Sequence, residues 1–226
     1  MRFIKFLIAL LLLPLAFFAS LEMARILLEV LGHFKAGIGF WLGVVCYGAI
    51  HYSVYNFSRP YVFMHEATHA LAAFVCGSRI KDISVGRDSG YVKMTKSNTF
   101  IVLAPYFVPG YVLLTAFCYL VGDLFTDLTP YRSVFLFLIG FFTAFHFIQT
   151  FKTLFEADQP DLKLAGGKVF SVTVITLANL AVLAVVLKSL FPGAVSLQQA
   201  GVRVITDTLA AWRILVNYII RLITKQ

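Results

Sequence analysis

Formal charge is scarce in this chain. Asp, Glu, Lys and Arg make up 13% of its 226 residues, against about 25% in a typical soluble protein. Residues 36–58, 97–122, 133–151 and 169–187 carry no formal charge at all. Such runs approach or exceed the roughly 20 apolar residues needed to cross a bilayer core. A water-soluble globular fold is therefore excluded, and the chain reads as a multi-pass integral membrane protein. Cysteine is also rare: Cys46, Cys76 and Cys118 lie in or at the ends of apolar runs. Their odd number excludes a closed disulfide framework and suits free thiols packed as small hydrophobes. Acidic residues are outnumbered, 11 to 19, giving a net charge of +8. The basic residues lie between and after the apolar runs, a pattern that serves membrane lipids and topology and argues against nucleic acid as a partner. There is no internal repeat and no low-complexity linker, and at this length no separate peptide-binding domain is expected.

In chain order, Arg2 and Lys5 precede the uncharged run 6–19. A signal peptide would have such a start, but Phe17 occupies the place where its cleavage site needs a small residue, so the run reads as a retained first helix. Residues 21–35 read as an interfacial helix or a continuation of the first. After the 36–58 run, Arg59-Pro60 opens a new helix that extends to about Cys76-Gly77, with Pro in the first turn where its missing N–H costs nothing. Residues 78–98 are polar. Ile83-Ser84-Val85 and Tyr91-Val92-Lys93-Met94 flank a Gly-bounded turn at 86–90, which predicts a β-hairpin. Pro105 and Pro109-Gly110 interrupt the next run and predict a broken helix, tolerated at membrane depth beside protein or a wet cavity. The tail, 200–226, carries Arg203, Thr206, Ala210, Arg213, Asn217 and Arg221 on one helical stripe and reads as an amphipathic interfacial helix. The expected fold is all-α and polytopic, with about six transmembrane helices, a small membrane-associated β-hairpin and a C-terminal amphipathic helix.

His65-Glu66-Ala67-Thr68-His69 lies in the helix opened by Pro60, and Glu66 is the only formal charge from Pro60 to Ser78. Residues four apart share a helical face, so His65 and His69 can offer two imidazoles to one metal ion. In zinc proteases this spacing supplies two Zn²⁺ ligands and a general base, here Glu66. The same five residues in a soluble chain are weak evidence. In an apolar segment the cost of burying them makes function the default reading. A catalytic zinc needs a third protein ligand and an open position. His146, Glu156, Asp158 and Asp161 are the candidates beyond His69, and composition does not choose among them.

At this point the sequence resembles the site-2 protease family of intramembrane zinc metalloproteases. The likeness rests on His65-Glu66-x-x-His69 in an apolar helix, on the hairpin-like segment leading into Leu103-Ala104-Pro105-Tyr106, and on Gln159-Pro160-Asp161. The last stands where the family has Asn-Pro-Asp-Gly or Leu-Asp-Gly. The resemblance covers roughly residues 60–190. It implies Asp161 as the third ligand, with Asp158 the alternative, and zinc as the cofactor. This chain has Gln159 for the Asn and Leu162 for the Gly. The polar role of the family's Asn then passes to Gln159, Gln149 or His146; for His146 and Gln149 a plain interhelical hydrogen bond is the rival role.

The expected organisation is one membrane-embedded domain, 1–226, with a catalytic core at about 60–190, an N-terminal helix at 1–35 and the tail. The expected function is zinc-dependent hydrolysis of peptide bonds in transmembrane protein substrates. Two rivals belong to other classes. A metal-binding pseudoprotease scaffold has no use for the intact Glu66, and a small transporter with a His/Glu/Asp relay is at odds with the missing inverted repeats. The hairpin is expected to clamp the substrate by strand addition. Loop 78–98 holds five Lys/Arg and loop 152–168 holds three, while loop 123–132 holds Asp123, Asp127 and Arg132. Positive-inside bias places the first two, and the active site, on the cytoplasmic side of a bacterial-type plasma membrane. Arg2 and Lys5 also favour the cytoplasm, which on this count requires a first span that starts outside, is removed, or pairs with a re-entrant 21–35 segment.

Overall fold

A computed structural model describes residues 2–87, 89–156 and 159–224, the side chain of Glu156 apart. Asp158 and Asp88 lie outside the described residues. The chain forms two compact units, Phe34–Ser171 and a second made of Met1–His33 with Val172–Gln226.

In the second unit, α1 (Arg2–Gly32) runs unbroken, so residues 21–32 continue the first helix. α1 packs against α9 (Leu197–Thr224), the expected amphipathic tail. Glu22 on α1 is buried and takes two hydrogen bonds, of 2.9 and 3.1 Å, from Arg203 Nε on the polar stripe of α9. A carboxylate withdrawn from water needs such a partner. α8 (Lys168–Leu190) supplies the rest of this unit.

The first unit holds α2 (Ile38–Ser53), α3 (Ser58–Val75), the hairpin β1 (Ile80–Val85) and β2 (Gly90–Met94), α4 (Thr99–Leu103), α5 (Gly110–Asp123), α6 (Arg132–Glu156) and α7 (Pro160–Ala165). α2 and α6 cross in direct backbone contact. A methyl group added at Gly43 would strike the Phe137 carbonyl, and one at Gly140 the carbonyl of Phe40. Gly39-x-x-x-Gly43 is thus a small-residue crossing, the device by which helices approach without a water-driven force. Beside it Tyr47, Phe141, Phe145, Tyr61 and Tyr111 form an aromatic core, which anchors the start of α3. Phe57, just before α3, has φ 51°, a left-handed conformation costly for a bulky residue. Its ring packs edge-on against Phe141 and Phe145.

Among the described residues, four helical segments are long and apolar enough to cross a membrane: Arg2–Gly32, Phe34–Ser53, Thr129–Phe155 and Lys168–Leu190. Thr99–Tyr106 with Gly110–Asp123 makes a fifth if that bent pair counts as one span, and the bend is 78°. Against the expected six, α3 has the length but not the apolarity, because His65, Glu66 and His69 sit within it. The hairpin forms where expected, antiparallel, with Ile83 opposite Val92 and Val85 opposite Gly90. On its exposed face Tyr91 donates a 2.9 Å hydrogen bond to Asp82 Oδ2, and Lys93 lies 3.4 Å from the same oxygen. The Tyr91 bond first, then Lys93, holds the Asp82 carboxyl below the usual carboxylate range.

Candidate metal centre

α3 places His65 above His69 on one face, ring centroids 4.9 Å apart. α7 brings Asp161 to them. Its Oδ2 lies 3.5 Å from His65 Nε2 and 3.5 Å from His69 Nε2, and the three donor atoms lie within 4.8 Å of one another. The residues fit a zinc ion. Ligands about 2.0–2.1 Å from a tetrahedral centre stand about 3.4 Å apart along its edges, which matches both nitrogen–oxygen separations. Two imidazoles and one carboxylate are also the donor set of a catalytic site with one position left open.

The chain orients these ligands from a second layer. His69 Nδ1 donates to the Ile101 carbonyl at 2.9 Å, which directs Nε2 at Asp161. That carbonyl is free for a covalent reason. In a helix it would accept the N–H of residue 105, and Pro105 has none. Ala72 and Ala73 pack against Ile101 and Ala104, and their small size lets α4 come this close. Ser78 and the cap bond from Ile101 N to Asn98 Oδ1 secure the two ends of the connecting hairpin. His65 is held differently, by rings: Tyr61 at 5.6 Å and Tyr106 at 5.1 Å between centroids. Its buried Nδ1 has no hydrogen-bond partner among the described residues. In the sequence Tyr106 stands out only as the end of the post-hairpin segment Leu103-Ala104-Pro105-Tyr106. Its hydroxyl donates to Asp161 Oδ2 at 3.0 Å, a role that its place after Pro105 could not reveal.

Of the other sequence candidates, Gln159 stands at the N-cap position of α7 without a side-chain cap bond, and its Oε1 lies 3.5 Å from the Tyr106 hydroxyl. Gln149 borders the same cavity, but its amide donates to the Asn56 carbonyl at 2.8 Å, which ties α6 to the α2–α3 turn. His146 is not in the His65–His69–Asp161 group; it borders a small pocket on the α5 side of His65. Asp158 lies outside the described residues, as does the side chain of Glu156.

A cavity of about 810 Å³ opens over the cluster, lined among others by Tyr61, Glu66, Gly90, Val92, Gln149 and Asp161. Glu66 is only 6% exposed, because the hairpin lies on it. A Cβ at Gly90 would stand 2.6 Å from Glu66 Cγ and 2.9 Å from Oε1. The strand facing the cavity is β2, and among the described residues its outer edge has no partner strand. The Gly86 N–H bonds the Ser89 carbonyl at 2.9 Å. Bonded and non-bonded pairs alternate along an antiparallel ladder, so the main-chain groups of Gly90 and Val92 turn away from β1.

Comparison with curated proteins finds no match, and neither does comparison with solved structures. A family match does exist, to Peptidase M50B-like proteins over residues 38–157. It takes in α2, α3 with the His-Glu-x-x-His motif, the hairpin, the broken span and α6, and it stops short of Asp161. With more than half of its length matched, and several long apolar helices around the motif, the chain belongs to the Peptidase M50B-like family of site-2-protease-type membrane metallopeptidases.

Proposed function

We propose that the protein is an intramembrane zinc metalloprotease that hydrolyses peptide bonds in membrane-spanning proteins. The observation that carries this reading is the convergence of His65, His69 and Asp161 beside the covered carboxylate of Glu66. Zinc held by the three ligands would supply a Lewis acid, polarising the scissile carbonyl and making water acidic near neutral pH. Glu66 takes a proton from the attacking water and delivers it to the leaving amine nitrogen. Ile101 and Tyr106 keep His69 and Asp161 oriented. The substrate has to reach the site extended, since the peptide bonds of an intact helix are fully hydrogen-bonded. The free edge of β2 offers Gly90 and Val92 main-chain groups to an extended segment, adding it as a third strand. In this reading α3 is a sixth membrane-embedded helix, kept among protein neighbours rather than lipid.

Orientation follows from one edge of the Phe34–Ser171 unit. The hairpin turn at Gly86-Arg87 borders the same cavity as Val54–Arg59, and Lys152 Nζ bonds Asn56 Oδ1 at 3.0 Å. Arg59, Arg87 and Lys152 therefore gather at the end of α2 and α6, opposite the Asp-bearing 123–132 loop. Positive-inside bias assigns this edge to the cytoplasm of a bacterial-type plasma membrane. By span count alone, α1 and α2 make two crossings, so the positive-inside preference of Arg2 and Lys5 agrees with this orientation without a re-entrant 21–35 segment.

The test is Glu66→Gln. The variant is expected to bind zinc like wild type and to lose cleavage of a reconstituted transmembrane substrate by about 10²–10⁴-fold, the usual worth of a general base. Wild-type cleavage by that variant refutes the mechanism. Zinc binding with no proteolysis of any transmembrane substrate by the wild type supports the scaffold reading instead.

A further inference from the structure

We propose that Tyr106 is a positioning residue for the metal centre, acting through Asp161; this rests on the zinc-site reading above. Asp161 Oδ2 is the oxygen that both histidine Nε2 atoms face, at 3.5 Å each. The Tyr106 hydroxyl donates to that same oxygen at 3.0 Å. The bond selects which of the two carboxylate oxygens meets the metal and stops the carboxyl group from rotating. Asp161 needs this help. It sits in the first turn of a helix only six residues long, well below the length at which a helix holds itself.

Tyr106 is suited to the task. It is fully buried, on the short 3-10 turn Ala104–Tyr106 made by the break at Pro105. Its ring meets His65 edge-on at 5.1 Å. One side chain therefore touches two of the three ligands, from an element that carries neither. A buried tyrosine hydroxyl usually finds some acceptor. The specific feature here is that the acceptor is the ligand oxygen, and partners of that kind set metal affinity by roughly 10–100-fold.

The experiment measures zinc affinity by chelator competition on the purified, metal-stripped full chain. Wild type is compared with Tyr106→Phe, Asp161→Asn and the double variant. Tyr106→Phe is expected to weaken zinc roughly 10–100-fold, to shift the absorption bands of the cobalt-loaded protein, and to melt like wild type without metal. The double variant is expected to bind no more weakly than Asp161→Asn alone, because the hydroxyl then has no ligand to position. Unchanged affinity in Tyr106→Phe overturns the proposal. So does an additive loss in the double variant, or unfolding of Tyr106→Phe without metal, since each assigns Tyr106 to the fold instead. A wild type that takes up no zinc is a different result: it removes the metal-site reading itself and this inference with it.

Discussion

Gly90 is the position where the smallest change tests the largest part of the mechanism. A Cβ there would lie 2.6 Å from Glu66 Cγ, 2.9 Å from Glu66 Oε1 and 2.8 Å from the Ser84 carbonyl oxygen. Non-bonded heavy atoms settle at about 3.5–4.0 Å, so Gly90→Ala forces a separation of about 1 Å. The Ser84 carbonyl is backbone in the partner strand and moves only with the hairpin. Either the hairpin lifts, or Glu66 leaves its rotamer; both displace the base from the histidine pair or the clamp from the base. A misplacement of about 1 Å near the reacting atoms costs about 10²-fold in rate, or about 2.7 kcal/mol in the barrier. The atoms nearest the added methyl group belong to Glu66 and Ser84 rather than to His65, His69 or Asp161, so zinc content should stay at the wild-type level. The assay is cleavage of a transmembrane substrate in proteoliposomes, with zinc measured on the same preparation. Gly48→Ala is the control: a Cβ there meets nothing within 4 Å, and the change should be neutral or slightly stabilising. Wild-type turnover by Gly90→Ala would show that the hairpin does not cover Glu66 during catalysis.

Three further outcomes follow. Asp161→Asn is expected to bind zinc much more weakly than wild type, with a residual affinity through the two histidines, while Asp158→Asn keeps wild-type affinity; affinity measurements showing weakening only in the Asp158 variant reverse the ligand assignment. Val92→Pro is expected to cut cleavage at least tenfold with zinc retained, because it removes a donor from the free edge of β2 without touching the ladder to β1, whereas Arg87→Ala should cleave normally; equal rates for both variants would make the hairpin a mere connector. A cysteine at Ser89 is expected to react only with reagents that enter the cytoplasm and one at Asp127 with reagents outside, and labelling of Ser89→Cys in intact cells by an impermeant reagent overturns the orientation.

The sequence carried the features whose signal is local. The His65/His69 pair needs only helical spacing, the hairpin only its alternation and glycines, and the break at 105–110 only its prolines. The Pro-Asp match pointed to Asp161 with Asp158 as the alternative; Asp161 Oδ2 lies 3.5 Å from both histidine Nε2 atoms, and Asp158 is outside the described residues. What stayed hidden depends on which surfaces meet. Gly39-x-x-x-Gly43 lay in plain view, yet its meaning needed α6 and Gly140 as partner. Gln149 read equally well as a site residue or a tether, and it tethers Asn56. His146 shares the chemistry of the motif, yet it lies on the α5 side of His65, outside the His65–His69–Asp161 group. The polar stripe of the tail was legible, but not that Arg203 answers the buried Glu22 of α1.

The broken span draws these strands together. An uninterrupted helix over 97–122 would satisfy every one of its own backbone groups, as lipid requires, and would have nothing left to offer a neighbour. Pro105 removes one donor and so frees one acceptor, the Ile101 carbonyl, which His69 takes. The turn that follows swings Tyr106 off the helix axis and onto Asp161. The bend of 78° then starts α5 at Gly110, where any side chain would collide with Met64, the residue just before His65. Pro105 therefore orients an imidazole and places a hydroxyl on a carboxylate, and the bend at 107–109 lets the next helix close against α3. The cost of breaking a helix at membrane depth is offset in part because the carbonyl released at Ile101 is taken up by His69 of the site.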